Sequence, residues 1–169
     1  MRRLAIGSIA IVLLASLPCE PQETKASPLT RLRQISIVVE DLHADAKTVG
    51  LSVKSLESQM LVGLRRDIPK LVIRENTFPY LYLNVSVGQH SGSGGQESGF
   101  SAYVMLILLR PVMILEDVGA GQITFTTATV WWKIALLAGS RTSIHRLVKD
   151  EINEKLTEFA ADYYRQNPP

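Results

Sequence analysis

The sequence predicts an α+β protein, a two-layer sandwich in which a four-stranded, mostly antiparallel sheet carries two helices on one face. Three observations lead there. Residues 100–137 read as one long β-hairpin, two apolar runs joined by a turn around Glu116 to Gln122. Ile144, Val148, Ile152, Leu156, Phe159 and Tyr163 recur at steps of three and four, which is one apolar stripe of a closing helix. Tyr80 to Val87 alternates apolar and polar positions with the period of a half-buried strand.

The chain has 169 residues, enough for one domain. Hydrophobic residues make up 46% and charged residues 20%, a globular rather than a disordered composition. Lys plus Arg number 18 against 16 for Asp plus Glu, so no overall field recruits nucleic acid.

Met1-Arg2-Arg3 followed by the apolar or small run Leu4 to Leu17 reads as a secretory signal peptide. At ~1.5 Å per residue that run spans roughly 21 Å, short of a ~30 Å hydrocarbon core. Residues 1–26 are therefore expected to be signal peptide and c-region, 27–33 a linker, and 34–166 a single domain, exported to the periplasm or secreted. Cys19 offers a lipidation position, but Pro18 stands where a small residue normally precedes the cysteine. As the only cysteine it forms no intramolecular disulfide, and the fold rests on its core.

In chain order, Gln34 to Val39 is a first strand with Ile35, Ile37 and Val39 on one face. The polar stretch after Glu40 reads as an exit loop. Ser52 caps a first helix whose stripe is Val53, Leu56, Met60 and Leu64, with Arg65 and Arg66 at the dipole's negative end and Pro69 ending it. A second strand begins at Leu71, is interrupted near Asn76 and resumes at Pro79. Gly88 to Gly99 is expected as a flexible loop, since it lacks the lysine and the following helix of a phosphate-binding loop. After the long hairpin, Thr142 or Ser143 caps the last helix, in which Glu151 and Lys155 form an i,i+4 pair. The order is β-α-β-β-β-α.

A register follows from the turns. Closing the hairpin with Leu115 opposite Ile123 and keeping one register throughout places Leu106 against Trp132, Val104 against Ile134 and Leu108 against Val130. Closing the Gly-rich loop with Val87 opposite Phe100 places Leu83 against Val104 and Leu81 against Leu106. Both choices select one apolar core face. Pro111 then falls beyond the end of the second strand, where it either sits on a free side of the third strand or marks a bulge, and the hairpin arm past it is expected to project from the sheet.

The opposite face is predicted to carry Tyr80, Tyr82, Asn84, Tyr103, Met105, Ile107, Leu109, Phe125, Trp131 and Lys133. A solvated sheet face is normally polar, and an apolar, aromatic one marks an interaction surface. The candidate binding residues are Tyr80, Tyr82, Tyr103, Met105, Ile107 and Trp131. No catalytic constellation accompanies them. His43, His90 and His145 are dispersed without metal-ligand spacing, and no nucleophile elbow occurs. No cofactor is expected.

The segments PYLYLNV, GFSAYVMLIL, TATVWWK and KDEINEKLTEFAADYYRQNP, between Pro79 and Pro168, resemble a family of small uncharacterised secreted bacterial proteins. The element order is also similar to that of the lipopolysaccharide-assembly lipoprotein of the outer membrane. The first resemblance brings no activity and the second concerns topology alone. The expectation is a non-enzymatic, exported cell-envelope module. Its aromatic sheet face would meet an envelope protein, a second copy or an apolar ligand, and peripheral membrane association is compatible with it. The alternative is a carbohydrate-binding or hydrolytic envelope protein using the same face as a sugar platform.

Overall fold

The computed structural model describes residues 29–91, 97–117 and 122–168; the signal-peptide expectation, Cys19 included, lies outside them. The stretch expected as linker is packed where it is described. Leu29 and Leu32 are buried. The Leu29 N–H donates to Gln166 Oε1 at 2.7 Å and its carbonyl accepts from Asn167 Nδ2 at 2.8 Å, tying this segment to the end of the last helix.

The first strand, β1 (Gln34–Val39), turns Ile35 and Val39 into the core. The polar stretch after it is not only a loop. It contains a short helix, α1 (Ala44–Thr48), which buries Ala46 and stops at Gly50, whose φ of +88° suits a residue without Cβ. In α2 (Val53–Asp67), the Ser52 hydroxyl accepts the Ser55 N–H at 3.3 Å, and Leu56, Met60 and Leu64 are buried, as their spacing predicts.

The second strand of the sequence reading is in fact two. β2 (Val72–Ile73) and β3 (Tyr80–Ser91) lie on opposite sides of β1, both parallel to it, so the sheet has five strands in the order β2-β1-β3-β4-β5. The interruption near Asn76, which adopts φ +51°, is the passage of the chain across β1. Ser36 fastens that passage, its hydroxyl accepting the Thr77 N–H at 2.8 Å and donating to the Thr77 carbonyl at 2.6 Å. The sheet is thus mixed, with antiparallel pairing in its β3-β4-β5 half.

The Gly-rich region is also narrower than a loop from Gly88 to Gly99. β3 continues through Ser91, β4 (Glu97–Asp117) begins at Glu97, and Gly88 pairs with Ser101. That moves the predicted β3–β4 register by two residues, with Val87 opposite Ala102, Leu83 opposite Leu106 and Leu81 opposite Leu108. A shift of two leaves every side chain on its predicted face. Leu83 and Val104 are both fully buried in the same core.

The β4–β5 pairing corrects the reading more deeply. With β5 (Gln122–Gly139), Leu115 does face Ile123, and that register holds back to Leu109 opposite Thr129. A bulge follows: Leu108 faces Trp131, Ile107 faces Trp132 and Leu106 faces Lys133. One extra residue inverts the faces of everything beyond it. Trp131 accordingly belongs to the core and Trp132, Ile134 and Leu136 to the opposite face. Pro111 sits past Tyr80↔Leu109, the last β3–β4 pair, where no ladder bond to β3 is required of it.

The closing helix, α3 (Arg141–Gln166), is capped by Ser140, whose hydroxyl accepts the Ser143 N–H at 3.3 Å, rather than by Thr142 or Ser143. Its whole predicted stripe, Ile144 through Tyr163, is buried. α2 and α3 pack against each other, and a Cβ built on Gly63 would stand 2.8 Å from Leu156 Cδ1. The architecture is α+β, with three helices and a five-stranded sheet rather than two and four.

Candidate functional site

The second sheet face is organised by β3, β4 and β5. On β3 it presents Tyr80, Tyr82 and Asn84; on β4, Tyr103, Met105, Ile107 and Leu109. The ladder sets Tyr82 opposite Ile107, Asn84 opposite Met105, then Ile107 opposite Trp132, Met105 opposite Ile134 and Tyr103 opposite Leu136. Cross-strand neighbours in such rows stand within about 5.5 Å and form one continuous surface. Below the bulge the same face continues along the projecting arm to Met113 opposite Phe125. From Tyr103 to Met113 that row runs roughly 33 Å at strand spacing.

Five of the six predicted binding residues therefore share this face: Tyr80, Tyr82, Tyr103, Met105 and Ile107, each half-buried. Trp131 does not. It is 8% exposed, its ring lies edge-on to Phe159 at 5.0 Å, and its indole N–H donates to Asp162 Oδ2 at 3.0 Å. Lys133 is likewise turned towards α3, where it meets Glu158 at 2.8 Å. The residues that the sequence reading missed are the exposed ones: Trp132 at 59%, Ile134 at 41% and Leu136 at 79%. The available signal was Lys133 itself, for an alternation that puts a lysine amid aromatic and aliphatic residues should prompt the opposite parity beside an acidic helix face.

At the β1 margin the face becomes polar. Glu40 takes a hydrogen bond from Asn84 Nδ2. Burial first, then a hydrogen bond to Glu40 and the charge of that carboxylate, push the Tyr82 phenol up to about 12. Tyr82 is thus a neutral donor at any physiological pH. Tyr103 points its hydroxyl along the strand to Met105 Sδ at 3.0 Å, and Tyr80 packs against Phe78 with ring centroids 4.3 Å apart. These contacts hold the half-buried rings in place, while the β5 row stands free beside them. The surface is chemically an apolar, aromatic platform with a carboxylate at one margin.

Among the described residues no group of three His, Cys, Asp or Glu side chains is placed to hold a metal, and no helix is long and apolar enough to cross a membrane.

No family model and no curated protein matches the chain. Solved structures to which the chain is similar include a PelC dodecamer from Paraburkholderia phytofirmans, 20% identical, with 76% of this chain and 86% of that one covered and a TM-score of 0.40. A putative neuraminyllactose-binding hemagglutinin homolog from Helicobacter pylori is 11% identical over 79% and 84%, with a TM-score of 0.34. The rare lipoprotein B from Shewanella oneidensis is 14% identical over 79% and 92%, with a TM-score of 0.27. A lipoprotein is thus among the fold neighbours, and at these scores none of the likenesses carries a functional argument.

Proposed function

We propose that this protein is a non-enzymatic, exported cell-envelope module that binds or assembles through the second face of its sheet. The observation that carries this is the β5 row, Trp132, Ile134 and Leu136, left exposed beside half-buried Tyr103, Met105 and Ile107. Large exposed apolar side chains in one contiguous row are what water-facing surfaces avoid and interfaces use. Trp and Tyr are also the residue types that dominate interface energetics. The occupant is another envelope protein or a second copy, and a peripheral membrane contact uses the same chemistry.

The test is a Trp132→Ser, Ile134→Ser, Leu136→Ser variant compared with the parent by light scattering and by cross-linking in intact envelopes. Loss of association with an unchanged circular dichroism spectrum supports the proposal. Identical mass and identical cross-linked partners in both proteins refute it. A glycan array read alongside distinguishes the sugar-platform alternative, which requires wild-type signal that the variant loses.

A further inference from the structure

A cleft lies towards the opposite margin of the sheet, where β1 outruns β2. β2 accompanies β1 only over Gln34 and Ile35, and the last bond between them is Arg74 N–H to the Ile35 carbonyl at 2.9 Å. On the other side, Ser36 N–H donates to the Pro79 carbonyl and Glu40 N–H to the Leu83 carbonyl, both at 2.9 Å. In a parallel ladder the residues between these, Ile37 and Val39, direct their N–H and C=O groups away from β3. They face the side that β2 has already left. An edge of this kind is a ready template for another strand.

A cleft of about 530 Å3 opens there, between α2 and the chain that crosses β1. Its volume is within the range of about 300–1,000 Å3 usual for ligand sites. Ile37, Leu61 and Ile73 give it an apolar lining, while Lys54, Arg65 and Arg74 outnumber Glu57 and Glu75 around it. All five charged side chains are exposed. A strand edge flanked by a helix, with an apolar lining and a mildly cationic rim, is the arrangement that captures extended peptides by strand addition.

We propose that this cleft takes an extended, acid-flanked peptide segment of a partner polypeptide, which adds as a strand beside Ser36 to Val38 and seats an apolar side chain on Ile37, Leu61 and Ile73. The cleft shares Tyr80 with the second sheet face but none of the exposed β5 row, so the proposal stands or falls separately from the function proposed above.

The probe is the synthetic peptide acetyl-Glu-Val-Thr-Val-Thr-Val-Glu-amide, titrated to millimolar concentration into 15N-labelled protein. Two further peptides are N-methylated at alternate amides. The expected result is saturable shifts at the Ser36, Ile37 and Val38 amides and slowed hydrogen exchange at Ile37. One N-methylated peptide loses affinity by about tenfold or more and the other keeps it, because only one set of amides faces β1. Ile37→Pro removes a donor that β3 does not use and weakens binding similarly. Should that variant not fold, Leu61→Arg, at a half-exposed helix position, blocks the cleft instead. No shifts along β1, equal binding of both methylated peptides, or shifts confined to Trp132 and Ile134 overturn the proposal. A peptide-free protein that already pairs through this edge as a dimer overturns it too, in favour of a second copy as the occupant.

Discussion

Adjacent tryptophans on β5 should behave as opposites. Trp131 is buried against Phe159 and bonded to Asp162, whereas Trp132 is 59% exposed. Truncating a buried aromatic costs about 3–5 kcal/mol in lost transfer energy and cavity. Asp162 keeps Arg165 at 2.7 Å when the indole leaves, so its carboxylate is not orphaned and the lost hydrogen bond adds only about 1 kcal/mol or less. Trp131→Ala is therefore expected near 4 kcal/mol, and Trp131→Phe, which keeps most of the packing, about 1–2 kcal/mol. Trp132→Ala should stay within about 0.5 kcal/mol, as for an exposed position. Urea unfolding reads the difference: with a slope of about 1–3 kcal/mol/M, the Trp131→Ala midpoint falls by one to several molar while that of Trp132→Ala barely moves. Equal losses, or a larger loss at Trp132, would refute the placement of the bulge.

Further outcomes follow from single contacts. Burial opposes the charge on Lys155, but hydrogen bonds to Glu158 and Glu151, at 2.7 and 3.0 Å, outweigh it and raise the ammonium above its usual value. Burial likewise opposes ionisation of Glu158, and Lys133 and Lys155 together hold its carboxyl below the ordinary 4.5. The depressed carboxyl adds stability that is complete above 4.5 and lost as pH falls through the lower folded value; the raised ammonium adds stability lost only as pH rises through its folded value. A Tm profile should be flat near neutrality and drop below 4.5, and Lys155→Met should cost about 3 kcal/mol at pH 7 by leaving Glu151 and Glu158 to repel. Tyr82 should ionise only near pH 12 in an ultraviolet titration. Glu40→Gln should lower its midpoint from about 12 without reaching 10, since burial is the largest cause. Gly63→Val should cost about 1–3 kcal/mol in thermal melts, because the branched side chain meets Leu156, and Leu156→Ala should relieve part of that loss.

What could be read from the sequence was whatever depended on parity and spacing within one element. The α3 stripe and the Ser52 cap came from local periodicity, which tertiary packing left unaltered. The core face of β3 and β4 survived a misplaced loop closure because the error was an even number of residues. Two things were not legible. The crossing of β1 between β2 and β3 depends on which side of a strand a short segment lands, and neither pattern nor propensity encodes that. The fastening at Ser36 and Thr77 reveals it only in three dimensions. The β4–β5 bulge adds one unpaired residue in a run of Thr, Ala and Val; Pro111 on the facing strand lies two residues from it, but its presence does not say which β5 residue is extra. That single residue moved Trp131 from the candidate site into the core and brought Trp132, Ile134 and Leu136 into its place.

The bulge is thus what makes the second face coherent, and deleting its extra residue tests it directly. Leu109 faces Thr129 and Leu108 faces Trp131, which leaves Val130 without a partner. Removing Val130 would close the ladder with each remaining residue on its present face. The deletion should then cost only the half-buried valine side chain and some relaxation of the twist, about 1–2 kcal/mol. Under one unbroken register the same deletion would invert residues 131–139, expelling Trp132 and Ile134 from the core and breaking the fold. A deletion variant that melts cooperatively, retains the Trp131 fluorescence of the parent and keeps its association is the expected result. An unfolded variant, with Trp132→Ala also costly, would show that β5 runs without a bulge. The exposed row on which binding is proposed would then not exist.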